Sequence, residues 1–424
     1  MNKINSRRDV LKLAGAAAAA SMLPSGKAFA QAAGNVVVIG GGFGGATAAR
    51  YLKKAGVNVT LVEANTTFST CPFSNTVLGG FGKMADITHT YDGLKRAGVT
   101  VVTGTVTGID ATAKRVTVQG ASAPIPYDRL VMSPGIDIKF GTLPGYDEAA
   151  AEKMPHAWKA GAQTELLARQ LAAMPDGGTF VMTIPNNPYR CPPGPYERAS
   201  LVAHYFKTNK PRSKIVLLDG KDTFSKQALF QQAWTALYPG MIEWVAFSQG
   251  GNVARVDPAT MTVFTDFGQR KGDVINVIPP QRAGRVVDLA GLATGDWCNV
   301  NQSTFESRTV PGIHVIGDAC VAGAMPKSGF SANNQGKVAA AAIVAMLRNQ
   351  PPPSPSLINV CYSLINPEYG ISVASVHKIG EDGTIISVPN SGGTSPANAS
   401  ADARKLEADF ARGWYKSITA EMFG

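Results

Sequence analysis

Cysteine is scarce in this chain: Cys71, Cys191, Cys298, Cys320 and Cys361 are all that 424 residues contain. None stands in a C-x-x-C or C-x-x-C-H pattern, which argues against a zinc clip and against a haem attached to this chain, and no metal site is expected. In an oxidising compartment widely spaced cysteines can pair, and an odd number leaves at least one outside any disulfide. After residue 30 no uninterrupted apolar run reaches about 18 residues, so no transmembrane span is expected in the mature chain. Lys and Arg form no cluster interleaved with aromatics, so nothing points to nucleic acid.

What is present begins with a leader. The stretch NSRRDVLKLAGAAAAASMLPSGKAFA pairs Arg7 and Arg8, continues into an alanine-rich apolar run, and ends on the small-x-small triplet Ala28-Phe29-Ala30. This order resembles a twin-arginine export signal, whose cargo crosses the membrane folded, commonly with its cofactor inside. An ordinary amphipathic helix is the plainer alternative. The signal reading predicts a mature periplasmic protein starting near Gln31. Its removal takes away five basic residues and one acidic one, so the formal charge falls from +10 to +6. That moderate excess suits an acidic partner surface or simple solvation.

The stretch NVVVIGGGFGGATAARYLKKAGVNVTLVEAN reads as strand, glycine turn, helix and strand. Gly40, Gly42 and Gly45 satisfy G-x-G-x-x-G, and Glu63 follows 23 positions after Gly40, as a dinucleotide-binding unit requires. Gly40 permits the turn, Gly42 lets backbone N–H groups approach a pyrophosphate, and Gly45 allows helix and strand to pack closely. Glu63 would take the ribose hydroxyls and repel a 2′-phosphate. Further on, GIHVIGDAC ends a strand at Gly317-Asp318 ahead of an alanine-rich helix. In flavoprotein reductases of the glutathione-reductase type such an Asp holds the flavin ribityl chain. With YDRLVMSPGI, this resemblance favours FAD in the first site, in a discontinuous domain.

A second β-α-β frame is expected with strands over 179–184 and 214–218 and a helix over 195–206. Its first loop, NPYRCPPGPYERAS, lacks the glycines a pyrophosphate needs and carries Pro188, Pro192, Pro193 and Pro195. Proline has no N–H to donate, so a nicotinamide site is disfavoured. The loop offers Cys191 instead, beside Arg190 and ahead of a helix N-terminus, both of which favour a thiolate. A structural cysteine is the alternative.

YRCPPGPYERAS, INVIPPQRAG, MPKSGFSANNQGKVAAAA and CYSLINPEYGISV together resemble the flavoprotein subunit of flavocytochrome c sulfide dehydrogenase, over essentially all of residues 31–424. The resemblance implies a redox-active disulfide between Cys191 and Cys361, 170 residues apart, and FAD bound covalently through Cys71. It implies attack of hydrosulfide on that disulfide, with electrons passing through FAD to a separate c-type cytochrome subunit that carries the haem. Glu197 is the candidate for proton handling, or else a carboxylate favoured by the helix dipole. Trp414 would shield the flavin, or serve as an interface aromatic. Cys298 and Cys320 are expected to be small buried residues.

The fold expected is α/β, glutathione-reductase-like, with two Rossmann-type domains and a C-terminal interface domain. The FAD domain is assigned to 31–150 and 284–352, the second domain to 151–283, and a segment covering the active site to 353–424, after the Pro-rich QPPPSPS. Rival readings are a sulfide:quinone oxidoreductase, which needs a membrane anchor; a pyridine-nucleotide or coenzyme A disulfide reductase; and a non-catalytic flavin-binding protein, which needs neither Cys191 nor Cys361.

Overall fold

The computed structural model describes residues 34–424; the export signal and the start near Gln31 lie outside them. The first layer is a five-stranded parallel sheet in the order Ile313–Val315, Arg129–Met132, Asn35–Ile39, Asn58–Glu63, Thr100–Thr103. Its strands read as near-continuous apolar runs, as strands covered on both faces must. Val36, Val37, Val38, Leu61, Leu130 and Val131 are all buried. Ile313–Val315 thus pairs with the far earlier Arg129–Met132, and the second unit lies between them in the chain.

Close approach at the glycine turn explains its sequence. Gly40 sits at φ +95°, and a Cβ there would lie 2.3 Å from the Ser133 carbonyl oxygen. A Cβ on Gly45 would lie 1.8 Å from the Gly40 oxygen. Helix Phe43–Lys54 packs against helix Gly329–Leu347 through small residues, and a Cβ on Gly336 would come within 2.6 Å of the Gly44 oxygen.

The second unit is a four-stranded parallel sheet in the order Ile242–Val245, Lys214–Asp219, Thr179–Ile184, Val274–Val277. Helices Ala162–Ala173, Gly194–Asn209 and Gln227–Leu237 accompany it. The antiparallel pair Ile136–Ile138 and Gln281–Ala283 ties the two units together. Residues 351–356 have no regular structure, and beyond them Leu357–Asn366 and Tyr369–Ile379 form a long antiparallel hairpin.

Helix Ala401–Phe423 closes the chain. Charges are spread around much of its circumference, and Arg404, Ala408, Ala411, Ile418 and Met422 are buried. Its end clasps the first unit: Phe423 stacks on His89 at 5.0 Å, and Glu421 accepts from Tyr51 at 2.6 Å and pairs with Lys337 at 2.8 Å. Among the described residues no helix is long and apolar enough to cross a membrane, and no group of three or more His, Cys, Asp or Glu could hold a metal ion.

Gly45→Ala places a methyl against backbone that cannot move cheaply, and overpacking of this kind costs about 3 kcal/mol. The expected outcome is a lower thermal midpoint and loss of bound flavin in the purified variant; an unchanged midpoint and flavin content would contradict the packing described.

Candidate functional site

The carboxyl ends of the first sheet open onto an elongated cleft of about 460 Å³, lined by Gly40, Gly42, Gly44, Glu63, Cys71, Ser133, Lys159, Arg190, Cys191 and Asp318. Beside it lies a small chamber of about 60 Å³, lined by Cys71, Trp158, Cys191, Glu197, Arg198, Cys361, Tyr362 and Trp414. Cys71 and Cys191 line both spaces, whereas Cys361 lines the chamber alone. By this measure a water needs roughly 10–15 Å³, so the chamber has room for a small inorganic species.

The cleft has the features a dinucleotide flavin needs. Glu63 is held at its rim, accepting from the Gly41 N–H at 2.7 Å and the Asn65 N–H at 3.2 Å. The Phe43–Lys54 helix starts at Gly42 with no side-chain cap, leaving its N–H groups for a phosphate. Asp318 is a lining residue whose Oδ1 is buried and without a partner, an acceptor suited to ribityl hydroxyls. Burial pushes its carboxyl up, with Arg190 and Lys327 opposing.

The second sheet differs at the corresponding acidic residue. In a nucleotide-binding unit the acidic residue ending the second strand meets the ribose. Here Asp219 is buried and accepts from Tyr196 Oη at 2.5 Å, Trp244 Nε1 at 3.0 Å and Lys221 Nζ at 2.6 Å. Its acceptors are committed to the protein itself.

Cys191 is set by backbone rather than by a cap. Its φ is +58°, its N–H donates to the Lys327 oxygen at 2.8 Å, and its oxygen accepts from Gly194 at 2.8 Å. Gly194 has to be glycine, because a Cβ would lie 3.0 Å from Cys191 Sγ and 2.9 Å from Trp158. Phe73, Ala157 and Lys226 beside the chamber also have positive φ. A left-handed residue with a side chain costs about 1 kcal/mol or more, and such strain gathers at functional sites. Cys361 lies in mid-strand opposite Val373, and the Lys226 ammonium donates to its oxygen at 3.0 Å.

All five cysteines are free thiols in this structure. Cys71 and Cys191 lie close enough to bias each other's ionisation: the interaction with Cys191, with Arg190 and Arg198 nearby, lowers the Cys71 thiol against the effect of burial, and the same interaction and burial raise Cys191. Burial raises Cys361, and Lys226 opposes the rise. Cys298 and Cys320 are buried in the first core, opposite each other in register.

Glu197 lies in the first turn of the Gly194–Asn209 helix and takes the Leu364 N–H and the Asn75 amide, each at 2.9 Å. Burial pushes its carboxyl up, while those bonds, Lys226 and Arg198 hold it down. Trp414 lines the chamber rather than the cleft, stacked near Phe330 at 6.4 Å with an unpartnered Nε1. Sequence reasoning missed Arg198, which is 2% exposed and donates to Asn75, Asn276, His156 and Ala157 while its guanidinium lies 4.9 Å from the Trp158 ring. It also missed Lys226. Neither position carries a local signal, because the partners come from distant segments.

The geometry has counterparts among known proteins. Residues 164–279 match the central part of the sulfide dehydrogenase [flavocytochrome c] flavoprotein chain. Residues 353–423 match the flavocytochrome c sulphide dehydrogenase flavin-binding family, and residues 34–172 the pyridine nucleotide-disulphide oxidoreductases. The flavoprotein chain of the Chlorobaculum thiosulfatiphilum enzyme is 64% identical over 44 residues, which are 10% of this chain and 92% of that sequence. A type II NADH:quinone oxidoreductase of Mycobacterium tuberculosis is 38% identical over 104 residues, 24% of this chain and 22% of its own. Among solved structures, the sulfide:quinone oxidoreductase of Aquifex aeolicus superposes with a TM-score of 0.70 at 20% identity, over 91% of this chain and 92% of that one. The reduced CoADR-RHD of Bacillus anthracis gives 0.62 at 16% identity, over 82% and 62%. These structural likenesses establish the two-sheet flavoprotein fold, and the sequence matches go further: the chain belongs to the family of flavocytochrome c sulfide dehydrogenase flavoprotein chains.

Proposed function

We propose that the protein oxidises sulfide in the small chamber and passes the electrons to FAD in the adjoining cleft. The observation that carries this reading is the convergence of Cys71, Cys191 and Cys361 on one small chamber, with two of them also facing the cleft. In the working state Cys191 and Cys361 form a disulfide and Cys71 carries the flavin as a thioether. Hydrosulfide attacks one sulfur of the disulfide: a new S–S bond forms as the old one breaks, leaving a persulfide on one cysteine and a thiolate on the other. FAD, when bound, supplies a two-electron acceptor beside these sulfurs.

The chain's own residues supply the rest. Gly42 and the uncapped helix end hold phosphate, Glu63 takes the ribose and Asp318 the ribityl chain. Glu197, fixed by Leu364 and Asn75, holds or releases the proton of the incoming sulfide. Trp414, Tyr362 and Phe330 keep water from the chamber. The electrons leave one at a time to a c-type cytochrome subunit that carries the haem. The twin-arginine leader supports a periplasmic site for this chemistry. The committed acceptors of Asp219 support sulfide rather than a nicotinamide as electron donor.

Anaerobic mixing of the purified flavoprotein with sulfide should bleach the flavin band rapidly; NADH should not, and Cys191→Ser should abolish the sulfide response. Bleaching by NADH, or an unchanged response in the variant, would overturn the reading. Glu197 gives a second check. Its folded-state carboxyl is raised by burial, so its contribution to stability is full below the unfolded glutamate range and is lost as pH rises through the raised value. Wild type should therefore lose thermal stability relative to Glu197→Gln as pH increases, and the variant should reduce its flavin with sulfide about 100-fold more slowly. Parallel pH–stability curves would remove Glu197 from this role.

A further inference from the structure

Lys226 is a buried cation that the steps above leave unused. It stands at the N-cap of the Gln227–Leu237 helix with φ +62°, and 7% of it is exposed. Its Nζ donates to the Cys361 carbonyl oxygen at 3.0 Å and to Ser363 Oγ at 2.8 Å. Both acceptors are neutral. An ammonium taken out of water loses several kcal/mol of hydration, which two neutral oxygens repay only in part. The Phe230 ring, 5.8 Å from Nζ, adds a further share, and negative charge nearby supplies more. Burial holds the Lys226 ammonium below its usual range, and of the charges that oppose this Cys361 ranks first, ahead of Glu197, Cys191 and Glu407.

We propose that Lys226 is a positioning residue for the sulfide reaction: anchored on the backbone of Cys361, it stabilises the negative charge that appears on the Cys361 side when the disulfide opens. The inference rests on the disulfide reading given above. It does not depend on which sulfur is attacked, because opening leaves Cys361 either as a thiolate or as an ionisable persulfide. While the disulfide is intact no such charge exists, so the buried ammonium favours the opened state. The other groups acting on Cys361 are Glu197 from the Gly194–Asn209 helix and Cys71 from its loop, which both oppose ionisation, and Asn359 on its own strand, whose hydrogen bond favours it.

The test uses the flavin-loaded protein, reduced anaerobically with a dithiol. Alkylation of Cys361 by iodoacetamide is followed against pH, peptide by peptide, by mass spectrometry. The midpoint for Cys361 should rise by roughly one pH unit or more in Lys226→Gln, which keeps a donor but loses the charge. Lys226→Arg should restore it. If Lys226→Gln lowers flavin content, Lys226→Met and Ser363→Ala are read alongside; Ser363→Ala removes one anchor while keeping the charge and should leave the midpoint near wild type. An unchanged midpoint in the charge-loss variants overturns the proposal, as does an equal shift in Ser363→Ala, which would make the effect structural. Labelling without prior reduction separates the two claims: complete alkylation of Cys191 and Cys361 in the untreated protein would sink the disulfide reading, whereas the midpoint shift alone judges Lys226.

Discussion

The site is organised by one backbone constraint. Cys191 is held in the left-handed region at the mouth of a helix, its N–H tied to Lys327 and its oxygen to Gly194. A glycine would take this conformation freely; a cysteine takes it at a cost, met by packing around Trp158 and by those two hydrogen bonds. The consequence is a sulfur facing the dinucleotide cleft on one side and a small chamber on the other. The prolines that exclude a phosphate from this loop also stiffen it.

Around that sulfur the electrostatics are uneven. Arg198 and Lys226 are both buried, and both lean on neutral oxygens for much of their compensation. Glu197 is the carboxylate facing the chamber, itself raised by burial. Arg198 and Glu197 line the chamber with one charge of each sign, and Lys226 lies behind it on the Cys361 backbone. The chamber's small volume suits an inorganic sulfur species.

Much of the fold was legible in the sequence. The glycine turn at Gly40, Gly42 and Gly45 and Glu63 carry a local backbone requirement, and they occupy the strand–helix–strand positions expected of them. The second frame was legible as well, with strands Thr179–Ile184 and Lys214–Asp219. The gathering of Cys191 and Cys361 was not, because nothing local joins positions 170 residues apart; it entered only with the family resemblance. Arg198 and Lys226 escaped notice because a charged side chain is buried only when distant backbone oxygens are delivered to it.

The pairing of the three cysteines is the point on which the account turns. Three thiols lining one chamber can be linked in more than one way. The direct measurement is peptide mapping by mass spectrometry of the native, unreduced protein, digested at acid pH to prevent exchange. The account predicts a disulfide joining the Cys191 and Cys361 peptides and a flavin mass on the Cys71 peptide. A disulfide between Cys71 and Cys191, with flavin released intact on denaturation, would contradict it.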